Sequence, residues 1–173
     1  MSTSPTRLIS SSYDKSIKIW DINAEQNVST LLGHSNAVLC LCYITQTRIV
    51  SGSADASLRV WHLNKEEATR IINGAHKSSV NSLFSLKNAN ELISASADHT
   101  IKIWCTKKWH CLKILFSHCD WVKCVELIED TYHLASGSWD RSIKLWNLNT
   151  GMCLRTILRD DVECLVSFKH VLD

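Results

Sequence analysis

The chain has 173 residues, 45% hydrophobic and 21% charged, with one proline and five glycines; that is the length and apolar fraction of one folded domain, and too apolar for a disordered chain. Nineteen Lys and Arg against seventeen Asp and Glu leave a net charge of +2, and neither sign gathers into a run, which excludes the footprint of a nucleic-acid or anionic-membrane binder. The longest stretch resembling a membrane span, Ala37 to Ile44, falls far short of the ~20 apolar residues that cross a bilayer.

Taken in chain order, short alternating runs predict strands. Leu8-Ile-Ser, Ile17-Lys-Ile-Trp20 and Ser29–Leu32 come first, over residues 8–32. Residues 37–72 then hold four runs, at Val38–Leu41, Ile49–Ser51, Leu58–Trp61 and Thr69–Ile72. The pattern returns over 79–115, with Val80–Leu83, Leu92–Ser94, Ile101–Trp104 and Leu112–Leu115, and over 121–157, with Val122–Val125, Leu134–Ser136, Ile143–Trp146 and Leu154–Leu158. One more inner strand is predicted over 162–168. Four short strands in each period of ~42 residues, with turn residues between them, describe one blade of a β-propeller. The expected fold is therefore all-β, with three complete blades and a partial one.

The polar residues keep the same register. Trp20, Trp61, Trp104 and Trp146 are spaced by 41, 43 and 42 residues, and Asp14, Asp55, Asp98 and Asp140 each lie six positions before one of them. His34, His76 and His118 follow at intervals of 42. Serines stand four and two residues before each aspartate: Ser10 and Ser12, Ser51 and Ser53, Ser94 and Ser96, Ser136 and Ser138. A nucleophilic triad is needed once, whereas this set recurs three times beside a tryptophan, which argues for a structural role and against an enzyme. The chain also lacks a Gly-rich phosphate loop, an H-E-x-x-H and a G-x-S-x-G motif.

The first seven residues hold no apolar signal region, so an intracellular chain, cytoplasmic or nuclear, with its cysteines reduced is expected. No C-x-x-C pair exists among the eight cysteines, and no metal or other cofactor is expected. Cys40, Cys124 and Cys164 share one inner-strand position, while Cys111 and Cys153 share an outer one, as small core side chains would.

These residues resemble the WD-repeat family over essentially the whole chain. The pair that names the family survives as Trp20-Asp21 and gives way to His62, Cys105 and Asn147 elsewhere; its glycine-histidine pair survives as Gly33-His34. The resemblance implies hydrogen-bonded tetrads within blades: His34, Asp55 and Trp61 with Ser51 or Ser53; His76, Asp98 and Trp104 with Ser94 or Ser96; His118, Asp140 and Trp146 with Ser136 or Ser138; and a partial set of Ser10, Asp14 and Trp20. It implies a non-catalytic scaffold that binds proteins or peptides on a rim contributed by each blade. The rim positions are Ala37, Leu39 and Ala54; Ser79, Asn81 and Ala97; Trp121, Lys123 and Trp139; and Tyr13, Asp161 and Glu163 from the partial blade. Trp121 and Trp139 stand outside the tetrad register, so with Lys123 and Arg141 they form either an aromatic and basic hot spot or a pair packed on each other. Trp109 reads as a loop anchor and Lys107-Lys108 as solvated surface.

Two further expectations follow from the resemblance. About four repeats are fewer than the seven or eight blades usual in the family, so an incomplete ring is expected, open to self-association or homodimerisation through its uncovered blade faces. A substrate-recognition propeller of an F-box-type ubiquitin ligase is the alternative function, suggested by Thr150–Arg155 and the serine-rich inner loops.

Overall fold

The computed structural model describes residues 6–65, 67–86, 90–128, 131–159 and 162–165. These residues form four antiparallel sheets, each a meander in which consecutive strands pair. The first has three strands, β1 (Arg7–Ser11), β2 (Ile17–Asp21) and β3 (Gln26–Leu31). The second holds β4 (Val38–Thr45), β5 (Arg48–Ser53), β6 (Leu58–His62) and β7 (Glu67–Ile72). The third holds β8 (Val80–Ser85), β9 (Glu91–Ser96), β10 (Thr100–Cys105) and β11 (His110–Phe116), and the fourth β12 (Val122–Ile128), β13 (His133–Ser138), β14 (Ser142–Asn147) and β15 (Cys153–Leu158).

Side chains alternate across a strand, so neighbouring residues of one strand serve two different cores. In β5, Ile49 joins the core shared with the first sheet, with Ile17, Ile19, Leu31, Val38 and Trp61. The adjacent Val50 joins the core shared with the third sheet, beside Leu58, Val80, Leu92 and Trp104. Likewise Leu92 of β9 faces back to the second sheet, and Ile93 faces forward to a core with Val122, Leu134 and Trp146. Three cores thus lie between four sheets, and stability is carried by interfaces between neighbours, as in other repeat architectures.

Close approach at these interfaces requires small residues. A Cβ on Gly52 would stand 2.6 Å from Cγ1 of Val80 in the next sheet, so β5 must leave that position empty. Gly137 holds the matching place in β13, and the side chain that would clash there is Val162. Residues 162–165, the described part of the inner strand expected over 162–168, form no ladder. Val162 is nevertheless buried, and it covers Gly137 as Val80 covers Gly52. Residues 166–168 lie outside the described residues.

The outer ladder breaks register at the same place in all four sheets, and the inner ladder at a second place in each four-stranded sheet. The outer ladder shifts between Ile19 and Trp20, Val60 and Trp61, Ile103 and Trp104, and Leu145 and Trp146. The inner ladder shifts between Val38 and Cys40, Val80 and Ser82, and Val122 and Cys124, leaving Leu39, Asn81 and Lys123 without a cross-strand partner. A bulge re-aims the side chain it frees, and all three are rim positions. The ends of the array are less covered: Leu8 and Val28 of the first sheet are exposed, and Ile143 and Leu145 of the fourth are only half-buried. No core joins the fourth sheet to the first among the described residues, so the sheets form an arc of an incomplete ring.

Candidate functional site

The recurring polar residues come together inside the blades. In the second sheet Trp61 Nε1–H donates to Ser51 Oγ at 2.8 Å, Ser51 Oγ–H to His34 Nε2 at 2.7 Å, and His34 Nδ1–H to Asp55 Oδ2 at 2.8 Å. The third sheet repeats this through Trp104, Ser94, His76 and Asp98 at 2.8, 2.7 and 2.9 Å. The fourth does so through Trp146, Ser136, His118 and Asp140 at 2.8, 2.7 and 2.7 Å. An indole can only donate and a carboxylate can only accept, which fixes the two ends of the relay. With a histidine protonated on Nδ1 alone, the serine hydroxyl donates to Nε2.

Which serine completes each tetrad is now evident. Ser51, Ser94 and Ser136 take part, and Ser10 accepts from Trp20 at 2.9 Å in the partial set. The second serines serve the turn instead: Ser53 Oγ donates to the carbonyl of Ala37 at 2.7 Å and accepts from the Asp55 amide at 3.0 Å. Asp14 lacks a histidine and is bound by Ser16 through its amide at 2.9 Å and hydroxyl at 2.6 Å.

Ser16 belongs to a set that the sequence reading missed. Ser57, Thr100 and Ser142 each donate a hydroxyl to their aspartate at 2.6 Å. The signal was present, since a serine or threonine stands two residues after every repeated aspartate. The residue between them, Lys15, Ala56, His99 or Arg141, adopts a left-handed conformation with φ of 73, 63, 69 and 63°.

Burial alone would raise the aspartate pKa values, but the donors outweigh it. Hydrogen bonds from Ser57 and His34 hold Asp55 well below the usual carboxylate range, and those from His76 and Thr100 do the same for Asp98. Ser142, the Cys119 amide and His118 bring Asp140 to about 2. Burial lowers His34 and His118 below the ordinary imidazole value, despite their aspartates. All these groups are more acidic folded than unfolded, so the unfolded chain binds more protons. Stability should therefore fall as pH drops below the ~6.5 of a free histidine, and again from ~4 down toward the Asp140 value. Guanidinium midpoints measured from pH 7 to pH 3 should decline throughout; a flat profile would contradict a neutral, carboxylate-anchored relay.

Burial also pushes up the thiols of Cys40, Cys42 and Cys124, the last two to about 11, leaving them protonated. The shared core role holds for Cys124, which is buried, while Cys164 in the same register is exposed.

The rim residues meet at the ends of the strands where the aspartate turns lie. Tyr13, Leu39, Ala54, Ser79, Asn81, Trp121, Lys123 and Glu163 line one cleft of about 410 Å³, contributed by all four sheets. Asp161 lies outside the described residues. Trp121 and Trp139 stack with ring centroids 4.6 Å apart and planes inclined by 16°, within the range of favourable aromatic pairs. Lys123 Nζ lies 4.7 Å from the Trp139 ring and 3.3 Å from Glu163 Oε2, while Trp139 Nε1–H donates to Glu163 Oε1 at 2.7 Å. The bonds from Trp139 and Lys123 hold the Glu163 carboxyl below its usual range.

The patch is therefore aromatic with its charge paired internally, and less basic than the sequence suggested, because Glu163 arrives from beyond the fourth sheet. Arg141 occupies the exposed left-handed position of the turn and does not line the cleft. Trp121 keeps 41% of its surface exposed and Tyr13 84%. Trp109 is half-buried against the core between the second and third sheets.

The family model described as "WD domain, G-beta repeat" matches residues 1–21, 25–62, 68–105 and 109–147. Ribosome biogenesis protein YTM1 of Coccidioides immitis is 33% identical over 109 residues, covering 59% of this chain and 23% of that protein. Nuclear distribution protein PAC1 of Gibberella zeae is 31% identical over 119 residues, covering 68% of this chain and 18% of its own. The chain thus spans about a quarter or less of these relatives. Among solved structures, the WD40 beta propeller domain of Doa1 superposes with a TM-score of 0.79 at 23% identity, covering 90% of this chain and 51% of that one; this likeness bears on the fold.

Proposed function

The chain belongs to the WD40-repeat family, and from that membership we propose that it is a non-catalytic protein-interaction scaffold that binds partner proteins or peptides on its rim. The observation that carries this reading is the cleft in which rim residues of all four sheets converge with Trp121, which is backed by its stack on Trp139. Aromatic side chains that are rigid, half-exposed and backed by packed neighbours are the usual energetic centres of interfaces. The tetrad serines Ser51, Ser94 and Ser136 are fully buried, out of reach of a substrate, which favours a structural role for the histidine sets over a catalytic one. Relatives named for ribosome biogenesis and nuclear distribution support an intracellular scaffold, in the cytoplasm or the nucleus. No described helix is long and apolar enough to cross a membrane.

The test compares partners recovered by the wild-type chain and by the Trp121→Ala, Trp139→Ala double variant. Losing two such anchors should weaken a rim-bound partner by about 2 kcal/mol or more, roughly thirtyfold, with the unfolding midpoint largely retained. Recovery of the same partners at the same yield by the folded variant would place the binding surface elsewhere.

A further inference from the structure

A second cleft, of about 500 Å³, opens between the second and third sheets and is lined by Arg48, Arg70, Lys107 and Trp109 together with Thr45 and Asn90. It lies at the opposite strand ends from the rim. Strand β5 begins at Arg48, after the turn from β4, and ends at Ser53, before the Asp55 turn; its first residue is therefore at the far end of the blade. Lys107 and Trp109 occupy the turn between β10 and β11, which is likewise remote from the Asp98 turn.

Three cations enter this cleft, and among the described residues no aspartate or glutamate lines it. Three other lysines are held internally: Lys123 by Glu163, Lys102 by the carbonyl of Ala75 and Lys113 by the carbonyl of Leu148. Arg48, Arg70 and Lys107 make no side-chain hydrogen bond or ion pair among the described residues. Their positive charge has no partner among the described residues, although the chain as a whole is almost neutral.

The spacing of the cations describes a track. Arg48 is on β5 and Arg70 on β7, two strands apart, which separates their backbones by ~10 Å across the sheet. Arg70 pairs with Val60 and Val60 with Val50, so across the bulge at Val60 and Trp61 it lies two residues further along the sheet than Arg48, another ~7 Å. Lys107 approaches from the third sheet. A single small anion would engage one or two of these groups, whereas an extended chain with acidic side chains on one face, recurring every ~7 Å, would meet all three. Trp109 supplies an apolar wall from the core side. Its ring is half-buried against the core and does not stand free as a platform for stacked bases, which favours a peptide over a nucleic acid.

We propose that this cleft docks an extended acidic peptide segment of a partner protein, its carboxylates paired by Arg48, Arg70 and Lys107 and its aliphatic side chains laid against Trp109. The site is separate from the rim and does not depend on it. Fluorescence anisotropy of the 173-residue chain with a labelled peptide alternating glutamate and threonine tests the assignment, with glutamine replacing glutamate in the control peptide. Saturable binding that weakens with added salt is expected for the glutamate peptide and none for the control. The Arg48→Glu, Arg70→Glu double variant should lose at least about tenfold in affinity, and Lys107→Glu, in a turn outside every ladder, should lose in the same direction. Arg155→Glu, on the fourth sheet, and Trp121→Ala with Trp139→Ala should leave the affinity unchanged. No saturable binding, or an equal loss with Arg155→Glu, would overturn the site. Tighter binding of an oligothymidylate that displaces the peptide would overturn it in favour of a nucleic acid.

Discussion

Replacing Trp104 with alanine is expected to lower the free energy of unfolding by about 3–5 kcal/mol, the range for truncating a buried aromatic side chain. Trp104 is 5% exposed and fills the core between the second and third sheets, against Val80, Leu83 and Leu92. Its indole also donates to Ser94 at 2.8 Å, and Lys102 Nζ lies 5.7 Å from the ring centroid. Trp104→Phe separates the two contributions: it keeps most of the apolar contact and removes the N–H donor, at a cost of about 1 kcal/mol. Denaturant unfolding of both variants measures the difference. A loss below about 1 kcal/mol for alanine would mean that the interface does not carry the stability assigned to it.

The second large effect is expected at Asp98. Its carboxylate accepts from His76 Nδ1 at 2.9 Å, the Lys77 amide at 2.9 Å, the Thr100 amide at 3.0 Å and the Thr100 hydroxyl at 2.6 Å. Asp98→Ala leaves these donors without their acceptor, and water can reach few of them because the His76 ring is buried. A loss of about 3 kcal/mol is expected in the same unfolding experiment. Histidine, serine and tryptophan are linked in sequence to this carboxylate, so removing both ends of the relay should cost less than the sum of the two losses, by at least about 0.5 kcal/mol. Strict additivity of Asp98→Ala and Trp104→Ala would show the four residues to be independent.

Much of this organisation was legible in the residues because it recurs. A single histidine or aspartate has many possible partners, but His34, His76 and His118 in register with Asp55, Asp98 and Asp140 restrict the choice to one that works in every blade. The strands were equally legible, since Ile17–Trp20 and its three counterparts alternate apolar and basic residues with the period of a strand. The choice of serine was not, because Ser51 and Ser53 both point to the same side of β5 and differ only in depth along it. Ser57, Thr100 and Ser142 were missed for another reason: a small polar residue next to a turn is so common that its recurrence attracts no notice until its hydroxyl is seen on a carboxylate.

The two clefts mark the division most clearly. Local sequence determined the four repeats and the histidine, aspartate and tryptophan of each tetrad, because each depends on the period of a strand or on contact between residues at a constant offset. Only the tertiary structure decided that Glu163 returns to pair with Lys123 and Trp139, which turns a basic patch into a charge-paired aromatic one. Only it placed Arg48 and Arg70 beside Lys107, which read alone as solvated surface. Those groups come from different blades, and their separation depends on how one sheet packs against the next, a distance that no spacing along the chain encodes.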